Sequence, residues 1–242
     1  MYYPILFSLA AGLCTAVGAF VVFIFKPTKV FMSVSIGFAS GVMLTLAFVF
    51  LLPEAVAINY WLAIIGFVSG ALLILILDAV LPHIEFSILE KGIIDRKMFR
   101  TATLIAIGMS LHNMPEGFAV AAGFSHLPTF GLLIAGAIAL HNIPEGIAIS
   151  LPIVSAGGSR RRAFVISLLS GLSEPIGAGI GVMLLSFAFN IIPLALAFAS
   201  GVMVYLTIDE LLPLARQYNN PHKMGFGIII GCIVAMLIGR IV

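Results

Sequence analysis

Eight long apolar stretches constrain this chain more than anything else in it: residues 4–25, 30–52, 60–81, 101–124, 129–151, 163–188, 191–212 and 224–241. Each is long enough to cross a hydrocarbon core of about 30 Å as a helix. In lipid every backbone N–H and C=O must find its partner within the protein, which the helix provides. The 62% apolar and 9% charged composition, with a mean hydropathy of +1.21, lies outside the soluble globular class. The expectation is an all-α polytopic membrane protein of eight transmembrane helices, forming one integral domain over residues 1–242 with short loops. The N-terminal stretch lacks the basic segment of a signal peptide.

Charge sets the orientation. Lys26 and Lys29 follow the first span; Lys91, Arg96, Lys97 and Arg100 the third; Arg160, Arg161 and Arg162 the fifth; Arg216 and Lys223 the seventh. Only Arg240 is left over. By the positive-inside rule these four connections are cytoplasmic and both termini lie outside the cell membrane. Tyr2, Tyr3, Tyr60, Trp61 and Tyr218 fall near span ends, where interfacial aromatics belong. Cys14 and Cys232 lie within spans, so neither a disulfide framework nor a thiolate metal site is indicated.

One six-residue sentence occurs twice inside this apolar sequence: His112-Asn113-Met114-Pro115-Glu116-Gly117 and His141-Asn142-Ile143-Pro144-Glu145-Gly146. Ionisable groups at bilayer depth are costly, and they mark ion sites and pathways. At about 100° per residue, His112 and Glu116 project about 40° apart, with Asn113 about 60° beyond Glu116 on its other side. His141, Asn142 and Glu145 repeat the pattern. Two facing helices therefore offer two Glu, two His and two Asn, enough for one N/O metal site or, with bridging carboxylates, two. Pro115 and Pro144 lack an N–H, which frees the carbonyls of Leu111 and Leu140.

A longer repeat frames the motif pair. Gly12-Leu13-Cys14-Thr15-Ala16-Val17-Gly18-Ala19 in span one matches Gly171-Leu172-Ser173-Glu174-Pro175-Ile176-Gly177-Ala178 in span six, with Glu174 standing where Thr15 does. Phe38-Ala39-Ser40-Gly41-Val42-Met43, then Leu51-Leu52-Pro53, in span two match Phe198-Ala199-Ser200-Gly201-Val202-Met203, then Leu211-Leu212-Pro213, in span seven. Spans one to three (about 1–82) thus repeat as six to eight (about 163–242). Five crossings separate their starts, so the copies are inverted. The predicted architecture is 3+2+3, with spans four and five (about 101–152) as the central pair. Inverted repeats characterise secondary carriers whose site lies near the midplane. Gly12, Gly18, Gly37, Gly41, Gly66, Gly70, Gly177, Gly181 and Gly201 suit close helix packing.

Among other polar residues, Glu174, inside span six beside Pro175, is the best further ligand from a third helix. Asp209 and Glu210 near the inner end of span seven are candidates for an exit relay. Asp78, His83, Glu85 and His222 on the cytoplasmic side, and Glu54 and His126 on the outer side, are expected to be solvated. The connection from Pro82 to Arg100 reads as a short amphipathic or flexible loop.

The doubled motif, the Gly171-Leu172-Ser173-Glu174-Pro175 segment, the eight spans and the inverted repeat together resemble the ZIP (Zrt/Irt-like) family of divalent metal transporters, over essentially the whole chain. The resemblance implies metal uptake into the cytoplasm, a binuclear mid-membrane site and a homodimer. On matching positions, His112, Glu116, His141 and Glu145 would form one site. Asn113, Asn142 and Glu174 would join the bridging Glu116 and Glu145 in a second. Where many members carry a His-rich loop between spans three and four, this chain has only His83.

Imidazole and carboxylate ligands suit Zn²⁺, Fe²⁺, Mn²⁺, Co²⁺ or Cd²⁺, and ligand type alone does not choose among them. The metal would be cargo, and no prosthetic group is implied. Two rival classes are an intramembrane metal-dependent hydrolase and a passive divalent-cation channel. The first commonly uses His-Glu-x-x-His, which is absent. The second uses weak sites of carbonyls or carboxylate rings, whereas this set is chelating. A Gly-x-x-x-x-Gly-Lys phosphate loop is also missing, so ATP-driven pumping is not expected.

Overall fold

A computed structural model describes residues 2–24, 27–80, 96–218 and 220–241 of the 242. His83 and Glu85 lie outside these residues, as does the side chain of Asp78. The loop expected from Pro82 lies outside them up to residue 95; from Arg96 the chain is already helical.

The described residues form eight helical rods: α1 (Tyr3–Ile24), α2 (Lys29–Ile58), α3 (Tyr60–Val80), α4 (Arg96–His126), α5 (Pro128–Ser155), α6 (Arg160–Phe187), α7 (Ile192–Gln217) and α8 (Pro221–Ile241). Seven are long and apolar enough to cross a membrane. α4, the exception, has 31 residues and so the length, but its described stretch carries the polar His112, Asn113, Glu116 and His126.

Turn chemistry fits the sequence. Thr28 accepts the N–H of Phe31 at 3.1 Å and Ser159 that of Arg162 at 3.2 Å, capping α2 and α6. Gly157, at φ 88°, supplies the left-handed residue between α5 and α6. The prolines act less uniformly than their chemistry alone predicts. α4 and α5 run on through Pro115 and Pro144. α6 is interrupted at Leu172, where Pro175 offers no N–H to the carbonyl of Gly171. Before Pro53 and Pro213, α2 and α7 widen into π-helical turns at Leu46–Leu51 and Thr207–Leu211.

The polarity is inside out. Ile65, Val68, Leu75 and Ile76 on α3, and Ile229, Ile233 and Leu237 on α8, face outward, while His141, Glu116 and Glu174 are fully buried. That distribution suits lipid as the surrounding solvent. Tyr2, Tyr3, Tyr60 and Trp61 are exposed at helix ends.

Glycines set how closely the rods approach. A Cβ at Gly12 would strike the carbonyl of Gly171, and one at Gly171 the carbonyl of Gly12, so α1 and α6 cross backbone to backbone there. The same holds for Gly18 against Ile143 and Gly146 against Thr15 between α1 and α5, and for Gly177 against Met114 and Gly117 against Glu174 between α4 and α6. Gly41 of α2 meets Ile228 of α8, and Gly201 of α7 meets Phe67 of α3. Without these close approaches the polar side chains of the interior would not converge.

Candidate metal centre

α4 and α5 carry the two motif copies into the interior, and α6 crosses both. His141 Nε2 lies 3.0 Å from Glu116 Oε1 and 3.7 Å from Glu145 Oε1, and all three side chains are buried. Their ligating atoms lie within 4.8 Å of one another. This joins both motifs through one histidine, with Glu116 reaching across from α4.

The asparagines anchor the same region. Asn142 donates to Ala11 O on α1 at 2.8 Å and to Glu174 Oε1 on α6 at 2.6 Å. Asn113 donates to Ser170 O at 3.2 Å, with the Ser170 hydroxyl at 3.5 Å. Both amide nitrogens are thereby committed to donation, while both amide oxygens stay buried without a partner.

Five buried oxygens in this region have no hydrogen-bond partner: Asn113 Oδ1, Glu116 Oε2, Asn142 Oδ1, Glu145 Oε2 and Glu174 Oε2. An unsatisfied buried acceptor costs on the order of 1–3 kcal/mol, more when charged. Five together on three helices are an arrangement that a cation repays and an apolar ligand does not. Carboxylate and amide oxygens beside one imidazole form a donor set of intermediate hardness.

His112 is where the structure departs from the motif's symmetry. Its ring is buried, yet Nε2 lies 3.0 Å from Glu210 Oε1 of α7, and it is not part of the Glu116–His141–Glu145 cluster. Glu210 sits in the π-helical turn of α7 with its side chain partly open to the exterior, 32% exposed, so the pair runs from the interior outward. Sequence reasoning left Glu210 only as a relay candidate and did not select Ser170; the signal for Glu210 was its place just before Leu211-Leu212-Pro213. Glu54 and His126, expected to be solvated, instead pair at 2.7 Å between α2 and the end of α4. His222 is exposed. Cys14 and Cys232 are free thiols.

The family model described as ZIP zinc transporter matches residues 89–242. Relatives extend the match over most of the chain. The zinc transporter ZupT of Streptococcus mutans is 40% identical, covering 93% of this chain and 91% of its own length. That of Clostridium perfringens is 37% identical, covering 95% and 92%, and that of Escherichia coli O7:K1 is 35% identical, covering 97% and 95%. The chain belongs to the ZIP family.

Proposed function

We propose that this chain carries divalent transition-metal ions, zinc first among them, into the cytoplasm through a site built from Asn113, Glu116, His141, Asn142, Glu145 and Glu174, with His112, the remaining candidate ligand of the sequence, standing at its exit beside Glu210. The observation that carries the reading is the set of five partnerless buried oxygens on α4, α5 and α6 around the Glu116–His141–Glu145 cluster. The relatives' printed name, zinc transporter, favours zinc. Glu116 and Glu145 each have one oxygen toward His141 and another without a partner, a disposition that suits bridging between two ions.

The framework proposed is eight crossings in a 3+2+3 inverted repeat, α4 included, with both termini outside. Support comes from interfaces that recur in matched pairs when α1, α2 and α3 are exchanged for α6, α7 and α8, and α4 for α5. Thus α2 packs on α8 as α7 on α3, and α1 on α5 as α6 on α4. The two π-helical turns fall at matching places, and the glycine contacts match in the same way. Metal would enter from outside and bind at the midplane, displacing protons from the carboxyls. It would leave inward, past His112 and Glu210, after one group of helices shifts against the other. Such a carrier sits in the cell membrane as a single 1–242 domain, and the resemblance extends to a homodimer.

The test is uptake into proteoliposomes loaded with a zinc-sensitive dye. Saturable influx by the wild type that disappears in a Glu116→Ala, Glu145→Ala variant supports the assignment. Unchanged saturable influx in the variant overturns it, linear flux without saturation favours a channel, and a folded, metal-binding protein without flux points back to hydrolysis.

A further inference from the structure

A buried hydroxyl in a helix ordinarily donates to the carbonyl four residues back. Here Ser40, Thr45, Ser150 and Thr207 do so, at 2.7–2.9 Å. Thr15, fully buried on α1, does not; its Oγ1 has no partner. The carbonyl it would use, that of Ala11, receives the amide of Asn142. A motif side chain thus occupies the acceptor and leaves the threonine hydroxyl uncommitted in the interior.

The surroundings of Thr15 parallel those of Glu174, its counterpart in the repeat. The backbone carbonyl of Thr15 sits against Gly146 of α5, and that of Glu174 against Gly117 of α4. The carbonyl four residues before Thr15 is bonded by Asn142, and the one four before Glu174, that of Ser170, by Asn113. Glu174 Oε1 lies 3.3 Å from a Cβ built at Gly12, while Thr15 Cβ lies 3.1 Å from one built at Gly171. Glu174 reaches from this position to the asparagine of α5. In the repeat, the asparagine that corresponds to this partner is Asn113 of α4, whose Oδ1 also has no partner. Being short, the threonine does not span the distance that the glutamate does.

We propose that Thr15 is the fourth-helix member of the proposed ion site, an oxygen donor on the side of Asn113, and that the residue at this position sets the charge and hardness of that side. The proposal rests on the site reading given above. A hydroxyl adds a neutral, hard donor to a side otherwise made of amide and carboxylate oxygens. Oxygen-only surroundings suit Mn²⁺, and sulfur in their place suits Cd²⁺.

The experiment is Mn²⁺ and Cd²⁺ binding to the purified full chain in lipid nanodiscs, following loss of the free Mn²⁺ resonance and its displacement by Cd²⁺. Thr15→Val, which keeps the shape and removes the hydroxyl, is expected to weaken Mn²⁺ binding at least about tenfold, the scale of losing an outer partner of a metal. Thr15→Ser should restore it to within about threefold of wild type on the same scale. Thr15→Cys in a Cys14→Ser background should raise the Cd²⁺ preference over Mn²⁺ by about tenfold or more, since thiolate selects softer ions. A merely structural threonine would not produce that gain. Ser8→Ala and Ser167→Ala remove the other two partnerless buried hydroxyls among the described residues and serve as controls. Wild-type Mn²⁺ affinity in Thr15→Val, an unchanged ion preference in Thr15→Cys, or an equal loss in Ser8→Ala would each overturn the role of Thr15. Undiminished binding in Glu116→Gln, Glu145→Gln would instead overturn the site itself.

Discussion

The two copies of His-Asn-x-Pro-Glu-Gly place their histidines in different company. His141 of α5 sits fully buried between Glu116 and Glu145, whereas His112 of α4 turns to Glu210 on α7. The cause lies outside the motif. α2 and α7 reach the motif helices at matching π-helical turns, but α7 offers Glu210 where α2 offers Phe50. The carboxylate on α7 gives His112 a partner outside the motif, and the matching position on α2 has no carboxylate to offer His141. One sequence sentence written twice therefore places one histidine in the buried cluster and the other in a pair that runs outward.

The largest expected effect comes from removing what both copies share. Glu116→Gln with Glu145→Gln should lower metal affinity by at least about a hundredfold, the upper end of what even outer partners contribute, measured by isothermal titration. Next is the packing that brings the copies together. Gly146→Ala drives a methyl into the Thr15 carbonyl, backbone that cannot yield, and should destabilise the folded protein by about 3 kcal/mol or more. Gly179→Ala, where a Cβ meets nothing within 4 Å, should be neutral or mildly stabilising by thermal unfolding in detergent.

The histidines themselves separate the roles. His141→Ala should weaken metal binding about tenfold or more, while His112→Ala should leave affinity within about threefold and slow uptake instead. Equal losses of affinity would break the distinction drawn between them. Glu210→Gln sharpens it further. With its carboxylate gone, the hold on His112 is reduced to a neutral hydrogen bond, about half as strong as a charge-assisted one. Uptake should fall a few-fold with unchanged affinity, and Glu210→Gln added to His112→Ala should cost little more. The smallest effect is expected at the part-exposed Glu54–His126 pair, where His126→Gln should change thermal stability by no more than about 1 kcal/mol.

Much of this was legible in the chain. Eight apolar runs, the loop charges and the duplicated motif are patterns in one dimension, and burial of Glu116, His141, Glu145 and Glu174 followed from polar residues at bilayer depth. The pairing of Glu54 with His126, 72 residues apart, left no such trace. Nor did the partner of His112, because it depended on which face of α7 turned inward at a widened turn.

The sequence by itself determined the medium, the helices and the set of polar side chains available to the interior, since hydrocarbon thickness, backbone satisfaction and the cost of buried charge act on local composition. Tertiary structure alone decided which of them meet. That choice followed from glycine-to-backbone contacts that fix helix register to within an ångström or so, and from Asn142 occupying the Ala11 carbonyl and so leaving the Thr15 hydroxyl without its usual acceptor.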